Sequence, residues 1–170
     1  KKDITRNSIF TDSYLRKTFS TDNFSTDFTL IPKDGDWIKV GEQELKWHAL
    51  DSKLFNFKLY RFAYALNKPQ NGVLFWVVTV INCPKEVKNV RLSAGCNSAG
   101  MFWVNGEEAV MLSDNKDMVV DNCTSERITL KKGKNVIRGA VINGPGMIDF
   151  CVRILNEDMQ PFKDFTISCE

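Results

Sequence analysis

Carboxylates are the residues of this 170-residue sequence whose type and spacing best suit acid–base chemistry. Glycoside hydrolysis commonly places two of them on either side of the scissile bond, and the adjacent pairs here are Glu107-Glu108 and Glu157-Asp158. Glu107 and Glu108 follow a predicted hairpin turn, where strand alternation sends neighbouring side chains to opposite faces. We therefore expect this pair to be solvated. Asp149 lies in a predicted strand and could face either way.

Residue counts restrict histidine and cysteine chemistry. His48 is the single histidine, which excludes a metal site of three histidines and leaves no evident base for a catalytic cysteine. The five cysteines form no C-x-x-C pair, the spacing that zinc ribbons and thioredoxin-like motifs need. We expect buried free thiols that act as small hydrophobic residues. The alternative is one disulfide, for example Cys83 with Cys123, in an oxidising compartment.

Tryptophan and asparagine suit a different task, the binding of sugars. The apolar C–H face of a sugar packs on an aromatic ring, while its hydroxyls hydrogen-bond to a few well-placed polar groups. Trp37 and Trp47 flank an early turn among polar neighbours, and an exposed platform and a core position fit each of them equally well. Asn97 and Asn115 lie in predicted loops, where their amides could donate to a ligand.

The overall charge gives no reason to expect a nucleic-acid partner. Basic residues number 23 and acidic residues 21, for a net charge of +2, whereas nucleic-acid binding usually calls for a basic patch or stripe. No run of about 18 apolar residues occurs, so the sequence predicts no membrane span. A chain of this length is expected to form one domain with an ordinary hydrophobic core.

Residues 1–35 differ in composition from the rest of the chain. They are rich in Thr, Ser, Asp and Asn, and aromatic residues recur every few positions between Phe10 and Phe28. This spacing is weakly helical, but the polar filling favours turns and extended chain. We interpret residues 1–35 as an N-terminal arm or linker whose aromatic side chains pack onto a main domain, residues 36–170. The turn sequence PKDGD, residues 32–36, marks the boundary.

From residue 36 onward the pattern is typical of an all-β protein. It predicts about nine to eleven short strands and no long helix. The longest apolar run, Val73–Ile81, is predicted to be a strand covered on both faces, with Trp76 in the core. Residues 54–66 are predicted to begin as a turn and end as a strand, and Asn105-Gly106 is typical of a tight type I′ hairpin. Such a series predicts a β-sandwich or a barrel that follows the N-terminal arm, and the family resemblance described next implies a β-sandwich of the jelly-roll type.

Three segments, in their order along the chain, resemble a known family. They are Arg61-Phe-Ala-Tyr-Ala65, residues 95–107 with Trp103-Val-Asn-Gly106, and residues 128–143 with Leu130-Lys-Lys-Gly-Lys-Asn135. The series resembles the galactose-binding-like jelly-roll domains attached to bacterial polysaccharide-degrading enzymes, over roughly residues 36–155. Trp103, inside the second segment, is expected to lie in the core.

One departure from that family pattern concerns the loop before the Trp103 strand. In similar domains this loop is often Ser-Asp-Asp-Gly, whereas here it is Cys96-Asn-Ser-Ala-Gly100. The acidic pair is missing, which puts any ligand or metal role of those carboxylates in doubt. A structural calcium is common in similar domains, but its ligands do not map onto this sequence.

The resemblance implies a non-catalytic carbohydrate-binding module that targets an attached glycoside hydrolase or carbohydrate esterase to polysaccharide. Its implied partners are a polysaccharide or oligosaccharide and a neighbouring catalytic domain, and its implied location is secreted or at the cell surface. The candidate binding residues are Trp37, Trp47, Asn97 and Asn115. Two alternatives stay open: a structural or protein-interaction sandwich that binds no sugar, and a small hydrolase.

Overall fold

The structure is a computed structural model that describes residues 10–19, 27–40, 42–144 and 149–170, with the backbone alone at residues 114–116. Its elements are α1 (Asp12–Phe19), β1 (Trp37–Val40), β2 (Gln43–Lys46), β3 (Phe57–Lys58), α2 (Leu59–Ala65), β4 (Val73–Cys83), β5 (Val87–Cys96), β6 (Ser98–Val104), β7 (Glu107–Lys116), β8 (Cys123–Thr124), β9 (Ile128–Leu130), β10 (Gly133–Asn143), β11 (Asp149–Leu155) and β12 (Thr166–Ser168). No helix among the described residues is long and apolar enough to cross a membrane.

The strands form two large antiparallel sheets that pack into a β-sandwich, which confirms the predicted fold class. The first sheet has the order β12-β4-β10-β6-β7, and the second has the order β3-β11-β5-β8, with β9 pairing to β5. β1 and β2 form a separate two-stranded hairpin. One buried cluster fills the space between the large sheets, with contributions from Ile81, Leu92, Phe102, Val141 and Ile154.

The inner and outer faces of the first sheet follow from strict alternation along its strands. In β6, Phe102 belongs to the cluster between the sheets, whereas Met101 and Trp103 belong to a second cluster on the outer face. β4 also contributes to both clusters, as Phe75 packs inward and Trp76 outward. The prediction that the apolar run of β4 is covered on both faces is therefore confirmed.

Two asparagines join the turns that carry the family resemblance. Asn105 and Gly106 adopt φ angles of 51° and 89°, as a type I′ hairpin requires. The Asn105 amide donates to Asn135 Oδ1 (2.9 Å), and its own oxygen accepts the Val136 backbone N–H (2.9 Å). Asn135 is fully buried and also donates to the Lys131 carbonyl (2.9 Å). Both motifs thus serve the scaffold.

Residues 59–65 form a helix, α2, so the prediction of a strand at the end of residues 54–66 is wrong. The aromatic-rich composition favours a strand, but Leu59 and Ala63 are buried at a spacing of four residues, which places both on one helical face. Burial of this face against the sandwich outweighs the local strand preference, because tertiary packing routinely overrides propensity.

The N-terminal segment also contains a helix where turns and extended chain were expected. α1 follows Thr11, whose hydroxyl accepts the Tyr14 backbone N–H (3.2 Å) and caps the first turn. Leu15 and Phe19, four residues apart, are buried. Phe19 packs edge-on against Trp76 and Trp103, with ring centroids 5.6 Å and 5.9 Å away.

Residues 117–122, which we call the strap, pack against the outer face of the second sheet at β5 and β11. Asp121 of the strap accepts hydrogen bonds from Ser93 Oγ (2.6 Å) and Arg153 Nε (2.9 Å), whose side chains point outward from β5 and β11. The strap approaches β5 most closely at Gly95, where a Cβ atom would lie 1.9 Å from the Val119 carbonyl oxygen. A side chain at this position is thus incompatible with the observed path of the strap.

The cysteines are all free thiols, and the alternative of a Cys83–Cys123 disulfide is not present. Cys83, Cys96 and Cys151 are buried as expected, whereas Cys123 is half-buried and Cys169 is exposed. Burial raises the pKa of Cys96 to about 12, with a smaller contribution from Cys151. Cys96 therefore behaves as a small apolar side chain at neutral pH.

Candidate functional site

The turn that precedes β1 fixes the backbone at Trp37 and Trp47, at one end of the β1–β2 hairpin. Within the turn, the Lys33 backbone N–H donates to Asp36 Oδ2 (2.8 Å). The Gly35 N–H then donates to the Trp47 carbonyl (2.9 Å), and the Trp47 N–H donates to the Asp36 carbonyl (2.8 Å). These bonds extend the β1–β2 pairing by one residue beyond Trp37 and Lys46. They therefore fix the backbone on both strands at this end of the hairpin.

The two tryptophans line one shallow pocket of about 260 Å³. Trp37 is 67% exposed, and Trp47 is half-buried. Small-molecule pockets usually measure about 300–1,000 Å³, so this pocket is smaller than usual. Its walls are formed by Leu30, Pro32, Asp36, Trp37, Ile38 and Trp47.

The pocket wall at Leu30 is fixed to the first sheet by a buried arginine. Arg138 of β10 is 2% exposed and donates from Nη2 to the Leu30 carbonyl (3.2 Å). Its guanidinium lies 5.8 Å from the ring centroid of Phe28 and 5.5 Å from that of Trp76. Burial lowers the pKa of Arg138, and the charge of Asp27 opposes this effect. Arg138 therefore contacts both the arm, at Phe28, and the pocket wall, at Leu30.

Asn97 does not line the pocket. It lies between β5 and β6, where its backbone N–H donates to the Asp149 carbonyl (3.0 Å) and its Oδ1 accepts the Asp149 N–H (2.9 Å). Asp149 in turn forms an ion pair with Lys58 (3.0 Å). These bonds tie β11 to the β5–β6 connection, so one end of the Asn97 amide is already engaged. Its role as a donor to a ligand stays a prediction.

Asn115 lies in β7 rather than in a loop, which corrects the expectation for its backbone. The pattern of Ser, Asp, Asn and Lys at residues 113–116 favours a loop, but pairing with β6 extends the strand to Lys116. Its side chain is outside the described part of the structure, so its binding role stays a prediction.

The remaining tryptophans are away from the pocket. Trp103 is 4% exposed, and its ring stacks on Phe28 with centroids 4.8 Å apart and planes inclined by 13°. The Trp76 ring lies 5.9 Å from that of Trp103 and is half-buried beneath the arm. The exposed tryptophan surface is therefore concentrated at Trp37.

Two residues considered for catalysis or metal binding, Glu108 and His48, contact side chains from other parts of the fold. Glu108 accepts two hydrogen bonds from Arg16 of α1 (2.7 Å and 3.0 Å). The His48 ring packs edge-on against Phe62, with centroids 5.8 Å apart. Within the described residues, no three His, Cys, Asp or Glu side chains are grouped so that they could hold a metal ion.

Sequence reasoning missed Lys46 as a neighbour of the Trp37 ring. In the β1–β2 register it stands opposite Trp37, and its ammonium lies 5.9 Å from the Trp37 ring centroid. Alternation along two strands around the turn at residue 41 contained this signal, since directly opposed residues share a face. The sequence does not reveal which residues of β1 and β2 are opposed, and this register is what places Lys46 beside Trp37.

Comparisons with known proteins give a weak likeness of fold. No family model and no curated protein matches the chain. Two solved structures of a β-glucosidase from Kluyveromyces marxianus are similar to it. The selenomethionine-labelled form has 19% identity and a TM-score of 0.47, over 77% of this chain and 16% of that chain. The complex with glucose has 22% identity and a TM-score of 0.35, over 54% and 11%.

Proposed function

We propose that this chain is a non-catalytic carbohydrate-binding module whose ligand stacks on Trp37. The observation that carries the proposal is the exposed Trp37 ring, which shares a small pocket with Trp47 and Asp36. An aromatic platform with a few polar groups suits a sugar, which presents an apolar C–H face and hydroxyls at its edge.

The wider setting in the proposal follows from the family resemblance. The module would lie beside a catalytic domain, a glycoside hydrolase or carbohydrate esterase, and direct it to polysaccharide in a secreted or cell-surface location. The galactose-binding-like jelly roll would supply a rigid scaffold, with function grafted onto one hairpin of it. The weak sugar contacts of one small pocket suit such targeting, because binding to a polymer with many equivalent sites is multivalent.

The test is to titrate the folded protein with a panel of plant and microbial polysaccharides and to compare Trp37→Ala. We expect binding to at least one polymer, and a loss of roughly tenfold or more in affinity for Trp37→Ala, which corresponds to about 1.4 kcal/mol. The melting temperature should stay unchanged, because the removed ring is mostly exposed. Tyr64→Ala is the matched control, since Tyr64 is a 75% exposed aromatic outside the pocket.

Three results would contradict the proposal. A folded protein that binds no polymer of the panel would favour the structural or protein-interaction sandwich instead. Equal affinity of wild type and Trp37→Ala for a bound polymer would move the site elsewhere on the molecule. Turnover of chromogenic esters or glycosides would favour the small hydrolase over the binding module.

A further inference from the structure

Asp36 and Trp47 present their side chains on one face of the β1–β2 hairpin. The Trp47 backbone N–H donates to the Asp36 carbonyl (2.8 Å), so the two residues are opposed one residue beyond the Trp37–Lys46 pair. Directly opposed side chains share a face, and alternation along β1 adds Ile38 to it. All three side chains belong to residues that line the pocket of about 260 Å³. The Asp36 carboxylate therefore lies at the pocket beside an indole ring.

This carboxylate is the one charged side chain among the residues that line the pocket. The other lining residues are two tryptophans and three apolar residues: Trp37, Trp47, Leu30, Pro32 and Ile38. Lys46 is absent from the lining, because the register places it on the alternate face from Asp36. A carboxylate attracts a cation and repels an anion. The pocket therefore favours a ligand group of positive charge.

Asp36 keeps one carboxylate oxygen available for such a group. Its Oδ2 accepts the Lys33 backbone N–H (2.8 Å), which orients the carboxylate on the turn. Within the described residues, Oδ1 has no hydrogen-bond donor and the carboxylate has no ion-pair partner. The residue is exposed, so a ligand can reach Asp36 from solvent.

The indole rings favour the same charge as the carboxylate. The face of a tryptophan ring attracts a cation within about 6 Å of its centroid. Trp37 already makes such a contact, with the Lys46 ammonium 5.9 Å away. In the part of the chain that the structure describes, no lysine or arginine lies over the Trp47 ring. A ligand cation in the pocket thus meets the Asp36 carboxylate and the Trp47 ring together.

We propose that the pocket takes a sugar that carries a protonated amino group, with Asp36 as its counter-charge. This inference rests on the proposed function, because it names the ligand class of the same pocket. The tryptophans supply the apolar contact, and Asp36 supplies the discrimination between amino sugars and neutral sugars. A hydrogen bond from an ammonium to a carboxylate is stronger than one from a neutral hydroxyl, and the preference weakens as salt screens the charges.

The experiment compares oligosaccharides of glucosamine, N-acetylglucosamine and glucose that share one backbone linkage and one length. They differ in one ring substituent, which is an amine, an acetamide or a hydroxyl. The titrations use mildly acidic buffer, in which the amine is protonated. At low salt we expect wild type to bind the glucosamine oligomer at least about fivefold more tightly than the other two. High salt should reduce this preference.

Asp36→Asn tests whether the charge of the pocket carboxylate is responsible. The amide oxygen can still accept the Lys33 N–H, so the melting temperature should stay as in wild type. The preference for the glucosamine oligomer should be lost, and the weaker binding common to the three sugars should remain. Asp34→Asn is the matched control and should keep the preference. Asp34 lies in the same turn and also accepts a backbone N–H, that of Ala49 (2.8 Å), but it does not line the pocket.

The outcomes separate this inference from the function on which it rests. Equal or weaker affinity for the glucosamine oligomer overturns the cationic ligand and leaves the sugar-binding function standing. A preference that survives in Asp36→Asn, or that falls equally in Asp34→Asn, also overturns it. If Asp36→Asn fails to fold, the salt series on wild type decides, because a preference that salt leaves unchanged is not ionic. Binding to none of the three oligomers overturns this inference alone, since the sugar-binding function is judged on the wider polysaccharide panel.

Discussion

Single side chains connect distant parts of this fold, and Asp121 is the clearest case. From one turn in the strap it accepts hydrogen bonds from Ser93 on β5 and Arg153 on β11. The second Asp121 oxygen accepts a hydrogen bond from Arg153 Nη2, so the carboxylate binds two of the three guanidinium nitrogens. The Arg153 guanidinium and, to a smaller extent, the Ser93 hydroxyl lower the pKa of Asp121. The strap is thus bound to two strands through one carboxylate.

Replacing Asp121 by Asn should destabilise the protein at neutral pH by about 1 kcal/mol, because the charge-assisted bonds to Arg153 are lost. The sign of the pH dependence follows from the lowered pKa. The carboxylate contributes its stability above the ordinary Asp pKa of about 3.9, and the contribution disappears as pH falls through the lower folded-state pKa. Urea denaturation should therefore separate wild type from Asp121→Asn at pH near 7 and bring them together in strong acid.

The matched control for this prediction is Asp158→Asn, an exposed aspartate in the turn after β11. It removes the same charge without touching the strap, so its denaturation midpoint should follow that of wild type. A gap between wild type and Asp121→Asn that is constant at all pH values would contradict the assigned role. Asn suits position 121 as a replacement, because the φ angle there is 57° and Asn tolerates this region.

At the scale of elements, the strap depends on the absence of a side chain at Gly95. A Cβ atom there would lie 1.9 Å from the Val119 oxygen and 2.9 Å from the Val119 carbonyl carbon. Both are backbone atoms, so Gly95→Ala must displace the strap as a whole. We expect a loss of about 1–3 kcal/mol, the usual cost of overpacking. Cys151, beneath Met118 of the strap, should become reactive toward a thiol reagent, which peptide mass analysis would detect.

Lys88→Ala tests whether any alanine on β5 has this effect. Lys88 is exposed on the same strand, and its substitution should leave both the denaturation midpoint and Cys151 labelling as in wild type. Gly95→Ala with wild-type stability and a protected Cys151 would show that the strap does not need this close approach.

Elements with a strong local sequence signal were predictable from the sequence, whereas those set by long-range packing were not. The β4 run and the Asn105-Gly106 turn contain their own local signals, and both have the expected form. α2 lacks a local signal of comparable strength, because its aromatic residues favour strands while its helical face is selected by burial of Leu59 and Ala63.

The residues of the candidate site also differ in how far the sequence alone could predict them. The polar neighbours and the adjacent turn made Trp37 a candidate, but the sequence fitted an exposed platform and a core position equally well, and the structure shows that the ring is exposed. Lys46 was not a candidate, because its place beside Trp37 depends on the register of a hairpin around residue 41. A shift by one residue would turn every side chain to the other face. Asn97 and Asn115 were candidates because their amides can bind hydroxyls. That property does not predict where a strand ends, and Asn115 lies within β7.

On the scale of the whole molecule, the arm acts as a third layer against the sandwich. Its described part contributes Leu15, Phe19 and Phe28 to a cluster with Trp76 and Trp103 on the outer face of the first sheet. Without this layer, the outer face would present a contiguous apolar surface to water. The Leu30 carbonyl bond to Arg138 extends the same attachment to the Trp37 pocket.

Removing residues 1–30 should therefore destabilise the entire sandwich. Leu15 and Phe19 are 0% and 3% exposed, and losing one buried side chain of this size costs about 2–5 kcal/mol. The truncated chain should melt at a much lower temperature, bind a hydrophobic dye, and show red-shifted tryptophan emission as Trp76 and Trp103 meet water. Arg16→Gln is the control: it removes the exposed ion pair to Glu108 but keeps the apolar layer, so its melting should change little. If the truncated chain kept the melting temperature and emission of the full chain, the arm would be a peripheral addition that does not stabilise the sandwich.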